Sequence, residues 1–134
     1  MMDFEKIKKE FIVDEEEYSR EKLSSLMITL SSFCKITKDG QVIILQAVPT
    51  RKILKLIICA RFVAHEVNKE IDQFVTKQDL RVYSSLKDNV FIARFNEMLK
   101  ENFAEKKGET FKVKNILFVE KFLNELINGK KEKK

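Results

Sequence analysis

The sequence predicts an α+β fold that is mostly α-helical and contains a small amount of β-structure. Apolar residues recur at helical spacing along most of the 134-residue chain, and only three Gly and one Pro interrupt it. Two short segments carry hairpin signals instead: Asp39–Gly40, which lies between β-branched runs, and a lysine-rich turn around Gly108. The hydrophobic fraction of 44% and the charged fraction of 35% suit a soluble chain with a core of its own.

The first part of the chain, residues 1–47, is predicted to form a helix–helix–hairpin unit. Asp3–Glu10 and Glu15–Ser32 have the amphipathic spacing of helices, and Asp14 opens an acidic run that suits the start of the second helix. The hairpin strands are predicted at about Phe33–Thr37 and Gln41–Leu45. A unit of this size is unstable alone, so we expect it to pack against the rest of the chain.

A strongly apolar helix is predicted from Arg51 to Asn68, with Thr50 as its N-cap. Apolar residues leave little polar surface on any side, so we expect a central helix that several neighbours cover. Its most apolar run is interrupted by Lys55 and Arg61, and it is too short and too charged to span a bilayer.

The next stretch predicts two helices that are separated by a short break. Thr76 is a good N-cap for a first helix over Lys77–Tyr83. Ser84 and Ser85 interrupt the helical pattern. A longer helix is then predicted from about Lys87 to Asn102, because its apolar residues return at spacings of three and four.

A second hairpin and a last helix complete the predicted elements. The hairpin has its turn at Lys106–Glu109, and Phe111 and Val113 alternate with polar residues after that turn. The last helix is predicted over Ile116–Ile127, and residues 128–134 form a basic tail that we expect to be frayed.

The longer helix of the pair has two distinct faces. At about 100° per residue, an apolar set points inward: Phe91, Phe95, Met98 and Leu99. The opposite side carries small and polar residues: Asn89, Ala93, Asn96 and Lys100. In a DNA-binding helix, Asn can bond adenine in the major groove, Ala permits close approach and Lys can reach phosphate. This side is therefore a candidate base-reading stripe.

The segment VTKQDLRVYSSLKDNVFIARFNEMLKENFAEK resembles archaeal and bacterial winged helix-turn-helix proteins. Its opening matches their pattern at Val75, Thr76 and Leu80, and its close matches at Ala93, Arg94, Phe95, Met98, Phe103 and Ala104. Two places depart from the pattern: Asn102 replaces the usual Gly, although Asn tolerates the same left-handed conformation, and Ser84 and Ser85 replace a small residue and Gly. The resemblance covers about residues 50–127. It implies a three-helix core with a β-hairpin wing, in a domain of residues 48–127.

The charge distribution agrees with a nucleic-acid-binding module. Residues 1–30 carry more acidic than basic groups, whereas the basic excess lies in residues 51–134. Lysine-tipped hairpins commonly contact phosphate backbones. The candidate nucleic-acid-binding residues are Thr76, Lys77, Lys87, Asn89, Ala93, Asn96, Lys100, Lys106, Lys107, Lys112 and Lys114. The alternative is a lysine-rich solvated surface. Asp88, Glu97 and Glu101 also flank the stripe on the longer helix and are expected to repel phosphate.

Enzymatic chemistry has little support in the sequence. The three glycines are too far apart for a phosphate-binding loop, and metal-ligand spacing is missing, so we predict no catalytic residue, metal site or cofactor. His65 is the only histidine and is expected to be structural or exposed. Cys34 and Cys59 lack a CxxC spacing and are expected to be reduced and buried. The N-terminus has no apolar signal-peptide region, so we expect a cytoplasmic protein.

Three functions from different classes remain open. The first is a DNA-binding transcriptional regulator or chromatin-associated protein that binds duplex DNA. The second is a factor that binds structured RNA or the ribosome by shape and phosphate contacts. The third is a protein-interaction module in which the acidic N-terminal unit and the apolar last helix bind the partner; winged helices also serve as docking modules.

We also predict a homodimer that forms through the C-terminal helix. One set of its apolar residues can cover the core: Ile116, Val119, Leu123, Leu126 and Ile127. Leu117, Phe118 and Phe122 are then expected to point partly elsewhere, and a contiguous apolar patch seldom stays bare on a soluble protein. The alternative is that the N-terminal unit folds back and covers this patch within one chain.

Overall fold

The computed structural model describes residues 4–11 and 15–132, and the elements named below lie in those ranges. The helices are α1 (Phe4–Phe11), α2 (Glu15–Ser31), α3 (Thr50–Val67), α4 (Lys77–Ser84), α5 (Asp88–Lys100) and α6 (Ile116–Glu132). The strands are β1 (Cys34–Ile36), β2 (Val42–Ile44), β3 (Val75–Thr76), β4 (Ala104–Lys107) and β5 (Thr110–Val113). The fold is therefore α+β and mostly helical, as the sequence predicts.

At the helix ends, two details differ from the prediction, and other predicted features fall on residues outside the described ranges. Thr50 is the first residue of α3 rather than its cap; Pro49 holds the cap position, and no side chain caps it. The last helix continues to Glu132, into the segment that was expected to be frayed. Asp14, the predicted start of the second helix, and residues 133–134 of the tail lie outside the described residues.

The strands form two small antiparallel sheets. Strands β1 and β2 pair on either side of the Asp39–Gly40 turn, with Cys34 opposite Ile44, which confirms the first predicted hairpin. The second sheet has the order β3-β5-β4, and β4 and β5 are the second predicted hairpin. Its third strand, β3, was not predicted; Val75 pairs with Phe111.

Helix α3 lies at the centre of the described core, as predicted. Leu56, Ile57, Ile58 and Cys59 have no exposed surface. Buried side chains of α2, β1 and β2 pack with α3 in the same apolar cluster as those of α4, α5, α6 and the second sheet. The burial of α3 on all sides follows from its composition, because a helix with so little polar surface must be covered all round.

Arg61 is the charged residue that this core accommodates. It is buried on α3, and its guanidinium donates to three backbone carbonyls: Gly40 at 2.8 Å, Asp72 at 2.8 Å and Phe74 at 3.1 Å. These bonds connect the first hairpin to the segment that leads into β3. Gly40 has φ +86°, which suits glycine, and an added Cβ there would lie 3.4 Å from the Arg61 Cζ.

The packing of α6 differs from the sequence prediction at Phe122. This side chain does not point elsewhere: it is only 3% exposed, and its ring centroid lies 5.9 Å from that of Phe103. Phe118 is half-buried and lies 6.2 Å from the same ring. Leu117 alone of the three predicted outward residues is exposed, at 65%. Helix α2 packs on α6 as well, and the ion pair between Lys22 Nζ and Glu120 Oε1, at 3.0 Å, joins these two helices.

Candidate nucleic-acid interface

Helix α4 begins with a reciprocal capping box. The Thr76 hydroxyl accepts a hydrogen bond from the Asp79 N–H at 3.0 Å, and the Thr76 N–H donates to the Asp79 carboxylate at 3.2 Å. The predicted cap is therefore confirmed. Because the Thr76 side chain is used in the cap, its contribution to a binding surface is to position α4.

The break between α4 and α5 uses a left-handed residue. Ser85 has φ 56°, and its N–H bonds to the Arg81 carbonyl, which ends α4. Asn102, after α5, has φ 57°, so it adopts the conformation that the resemblance assigns to Gly there. Both departures from the family pattern are thus accommodated by residues that take up a glycine-like backbone geometry.

The buried face of α5 fixes the rotation of this helix. Phe91, Phe95 and Met98 are buried and Leu99 is half-buried, as predicted. The Phe91 and Phe95 rings stack at 5.6 Å, and Phe95 meets Phe111 of β5 edge to face at 5.1 Å. These aromatic contacts orient α5 relative to the second hairpin.

The opposite face of α5 is exposed, as the helical spacing predicts. The four predicted residues Asn89, Ala93, Asn96 and Lys100 are all accessible. Ile92 belongs to the same face and is 49% exposed, although it was not among the predicted residues. The signal was present, because Ile92 follows Asn89 by three residues and precedes Asn96 by four. We call these five residues the α5 stripe.

The acidic residues near the α5 stripe are all ion-paired. Arg81 Nη2 lies 2.6 Å from Asp88 Oδ1. The other pairs are Arg94 with Glu97 and Lys55 with Glu101. The pairs are partly exposed, so they add little stability. Their effect is electrostatic: each carboxylate that was expected to repel phosphate has a cation beside it, which lowers the negative potential next to the stripe.

A basic groove runs between α4, α5 and the second hairpin, and it has a volume of about 540 Å³. The cationic side chains that line the groove are Lys77, Arg81 and Lys106, and the acidic side chain that lines it is Glu109. Lys77 Nζ lies 5.0 Å from the Phe95 ring centroid, and the Arg81 guanidinium carbon lies 5.6 Å from that of Phe91. The groove therefore has a net positive lining along one side of α5.

The predicted lysines of the second hairpin do not lie together. Lys106 is paired opposite Phe111 and lines the basic groove. Lys107 and Lys112 alternate with these two residues and so belong to the other face of the sheet. Lys112 forms an ion pair with Glu105 at 3.3 Å, which reduces the charge that it can offer to phosphate.

The remaining predicted lysines lie apart from the groove. Lys107 Nζ is 5.6 Å from the Phe74 ring centroid, and Lys114 Nζ is 6.0 Å from that of Phe118 on α6. Lys87 occupies the N-cap position of α5 and is exposed. Of the predicted lysines, Lys77 and Lys106 line the groove, and Lys100 lies on the α5 stripe.

The environments of His65, Cys34 and Cys59 are those of structural residues. His65 Nδ1 lies 2.6 Å from the Ile71 carbonyl oxygen. Cys34 and Cys59 are free thiols and buried, as predicted. Burial raises the pKa of Cys34 from 9.0 to about 11, and burial raises the pKa of Cys59 well above 9.0.

Two features are absent from the part of the chain that the structure describes. Its side chains include no group of three or more His, Cys, Asp or Glu that could hold a metal ion. Within residues 4–11 and 15–132, the helices lack the length and apolar character needed to cross a membrane.

Comparisons of the chain with protein-family models, curated proteins and solved structures find nothing that matches.

Proposed function

We propose that residues 48–127 form a winged helix-turn-helix domain that binds duplex DNA, as part of a transcriptional regulator or chromatin-associated protein. The order of elements supports this: helix α3, strand β3, helices α4 and α5, then the hairpin β4–β5. In this proposal α4 and α5 are the helix-turn-helix and the hairpin is the wing. Residues 1–47 are an attached N-terminal unit, and residues 128–134 are a basic tail.

One observation carries the proposal: the exposed α5 stripe lies beside the basic groove, and the three acids that flank the stripe are ion-paired. A helix that enters the major groove needs an exposed face whose side chains can reach base edges, and it needs cations at its side for the phosphates. Asn89, Ala93 and Asn96 supply such a face. Lys77 and Lys106 supply the cations.

The test compares two double variants that each remove two positive charges. Lys77→Ala with Lys106→Ala removes cations of the groove, whereas Lys112→Ala with Lys114→Ala removes hairpin cations outside it. We expect the groove variant to bind duplex DNA more weakly at all sequences. We also expect its plot of log binding constant against log salt concentration to have a slope that is shallower by about 2, because each phosphate contact contributes about 0.9 to that slope.

Fluorescence anisotropy with labelled duplex DNA over a salt series measures both quantities, and circular dichroism checks that the variants fold. Equal loss in the two variants would mean that only bulk charge matters, and it would contradict the proposed interface. Structured RNA serves as the competing ligand. Tighter binding to RNA would replace the DNA proposal with an RNA- or ribosome-binding factor. Binding to neither nucleic acid would leave the protein-interaction module.

A further inference from the structure

We infer that the α5 stripe selects duplex DNA rich in A·T base pairs, and that Ile92 recognises the thymine methyl group. This inference rests on the proposed function and deepens it, because it assigns a base composition to the duplex. It also adds Ile92 to the residues that determine specificity.

The positions of the stripe residues around α5 support a single contact surface. At about 100° per residue, Asn89, Asn96 and Lys100 lie within about 20° of one line along the helix. Ala93 lies about 40° to one side of that line and Ile92 about 60° to the other. Two amides, a methyl group and a branched apolar side chain are thus presented together.

Ile92 lies on the side of the stripe that faces the basic groove. Leu99, which lines this groove, is close to Ile92 in helical angle. Lys77 and Lys106 line the same groove. A duplex that is held there by its phosphates would therefore have its major-groove edge against Ile92.

The chemistry of these side chains matches one base pair. An Asn amide can bond adenine N6 and N7 bidentately, and apolar side chains contact the thymine C5 methyl group. Both contacts are made in the major groove, so one A·T pair can satisfy an amide and an apolar neighbour at once. In this arrangement, Ile92 keeps 49% of its surface exposed in the free protein because its partner is on the DNA.

Three of the four charged side chains of α5, which could otherwise recognise a G·C pair, are engaged in ion pairs. Guanine is most often bound by Arg or Lys, and cytosine by a carboxylate. Arg94 of α5 pairs with Glu97, and Asp88 pairs with Arg81. Lys100 is the cation of the stripe itself, and it lies at the last residue of α5. The centre of the stripe therefore offers no matched partner to a G·C pair.

Three synthetic duplexes test the inference: alternating dA·dT, alternating dG·dC, and alternating dA·dU. The dA·dU duplex keeps the hydrogen-bonding edges of adenine and its partner and lacks only the major-groove methyl groups. We expect dA·dT to bind at least about 10-fold more tightly than dG·dC. We expect dA·dU to bind about 4-fold more weakly than dA·dT, the value of one buried methyl-sized group.

Variants separate the two contributions. Ile92→Ala should remove the difference between dA·dT and dA·dU and lower the preference over dG·dC only by that factor, whereas Asn89→Ala with Asn96→Ala should reduce the preference over dG·dC to about the 4-fold contribution of the methyl group. Val82→Ala is the matched control, because Val82 is an apolar residue of α4, 59% exposed and outside the stripe. Val82→Ala should change neither the ratio of dA·dT to dG·dC affinity nor the ratio of dA·dT to dA·dU affinity.

The outcomes distinguish this inference from the proposed function. Binding to dA·dT and dG·dC with equal affinity would overturn the inference and leave DNA binding intact. The same holds for equal binding to dA·dT and dA·dU, or for an Ile92→Ala variant that still distinguishes them. No binding to any of the three duplexes would overturn both the inference and the proposed function.

Discussion

Phe95 connects the buried face of α5 to the second hairpin, and its replacement measures the strength of that connection. The side chain is 5% exposed and contacts the rings of Phe91 and Phe111. We expect Phe95→Ala to lower the free energy of unfolding by about 3–5 kcal/mol, as for other large aromatic truncations in cores. Urea denaturation measures the change. Asn96→Ala, at the adjacent exposed position, is the control and should change stability by less than about 0.5 kcal/mol.

We expect the Cys34 thiol to make the free energy of unfolding fall as the pH rises into the alkaline range. Its folded-state pKa is about 11, against 9.0 for an ordinary thiol, because burial disfavours the thiolate. Between these two values the unfolded chain has lost a proton that the folded chain still holds, so stability falls as the pH rises. We expect Cys34→Ala to show a smaller fall over this window in denaturation experiments. Parallel pH profiles for the two proteins would contradict the expectation.

At the scale of single residues, the sequence predicts positions that follow from helical spacing. Phe91, Phe95 and Met98 are buried for that reason. The left-handed Asn102 was predictable from the resemblance. Arg61 was not, because its three carbonyl partners come from the distant Gly40 turn and from the segment before β3. Spacing within α3 indicates only that a charge interrupts an apolar run.

At the scale of elements, substitutions at Ser85 test whether the turn between α4 and α5 has its left-handed conformation in solution. Ser85 has φ 56°, a conformation that costs a residue with a side chain roughly 1 kcal/mol and costs glycine much less. We expect Ser85→Gly to raise the free energy of unfolding by about 0.5–1 kcal/mol, and Ser85→Val to lower it. Thermal denaturation of the two variants checks the signs. A stabilising valine would show that the left-handed turn is absent in solution.

Local patterns predict the limits of α3, α4 and α5 better than they predict short strands. Helices α3, α4 and α5 begin and end within a residue or two of the predicted limits, because apolar spacing and capping residues define them. Strand β3 has only Val75 and Thr76, which is too short for a pattern of alternation. Its formation depends on Phe111 and Thr110, which lie more than thirty residues later in the chain. Pairing with a distant strand leaves no local signal.

At the scale of the whole molecule, tertiary packing determines what surface remains for a partner. The sequence is compatible with two ways to cover the apolar residues of α6, a second chain or the N-terminal unit. Phe122 is buried beside Phe103, and α2 packs on α6 through contacts that include Lys22 and Glu120. Composition alone does not distinguish these arrangements, because both bury the same side chains.

The proposed homodimer is therefore expected to depend on Leu117, which is the large apolar residue still exposed among the described side chains of α6. One such side chain from each protomer buries little area, whereas stable interfaces bury about 1,200–2,000 Å². We thus expect a weak dimer that forms at high protein concentration or on a palindromic duplex, where two α5 helices would bind half-sites at a fixed spacing. Leu117→Lys should shift sedimentation to a single species, and Val82→Lys, which changes an exposed apolar residue on α4, should not. A 15.8 kDa species for the free unchanged protein, together with a single protomer bound to each palindromic duplex, would contradict the dimer.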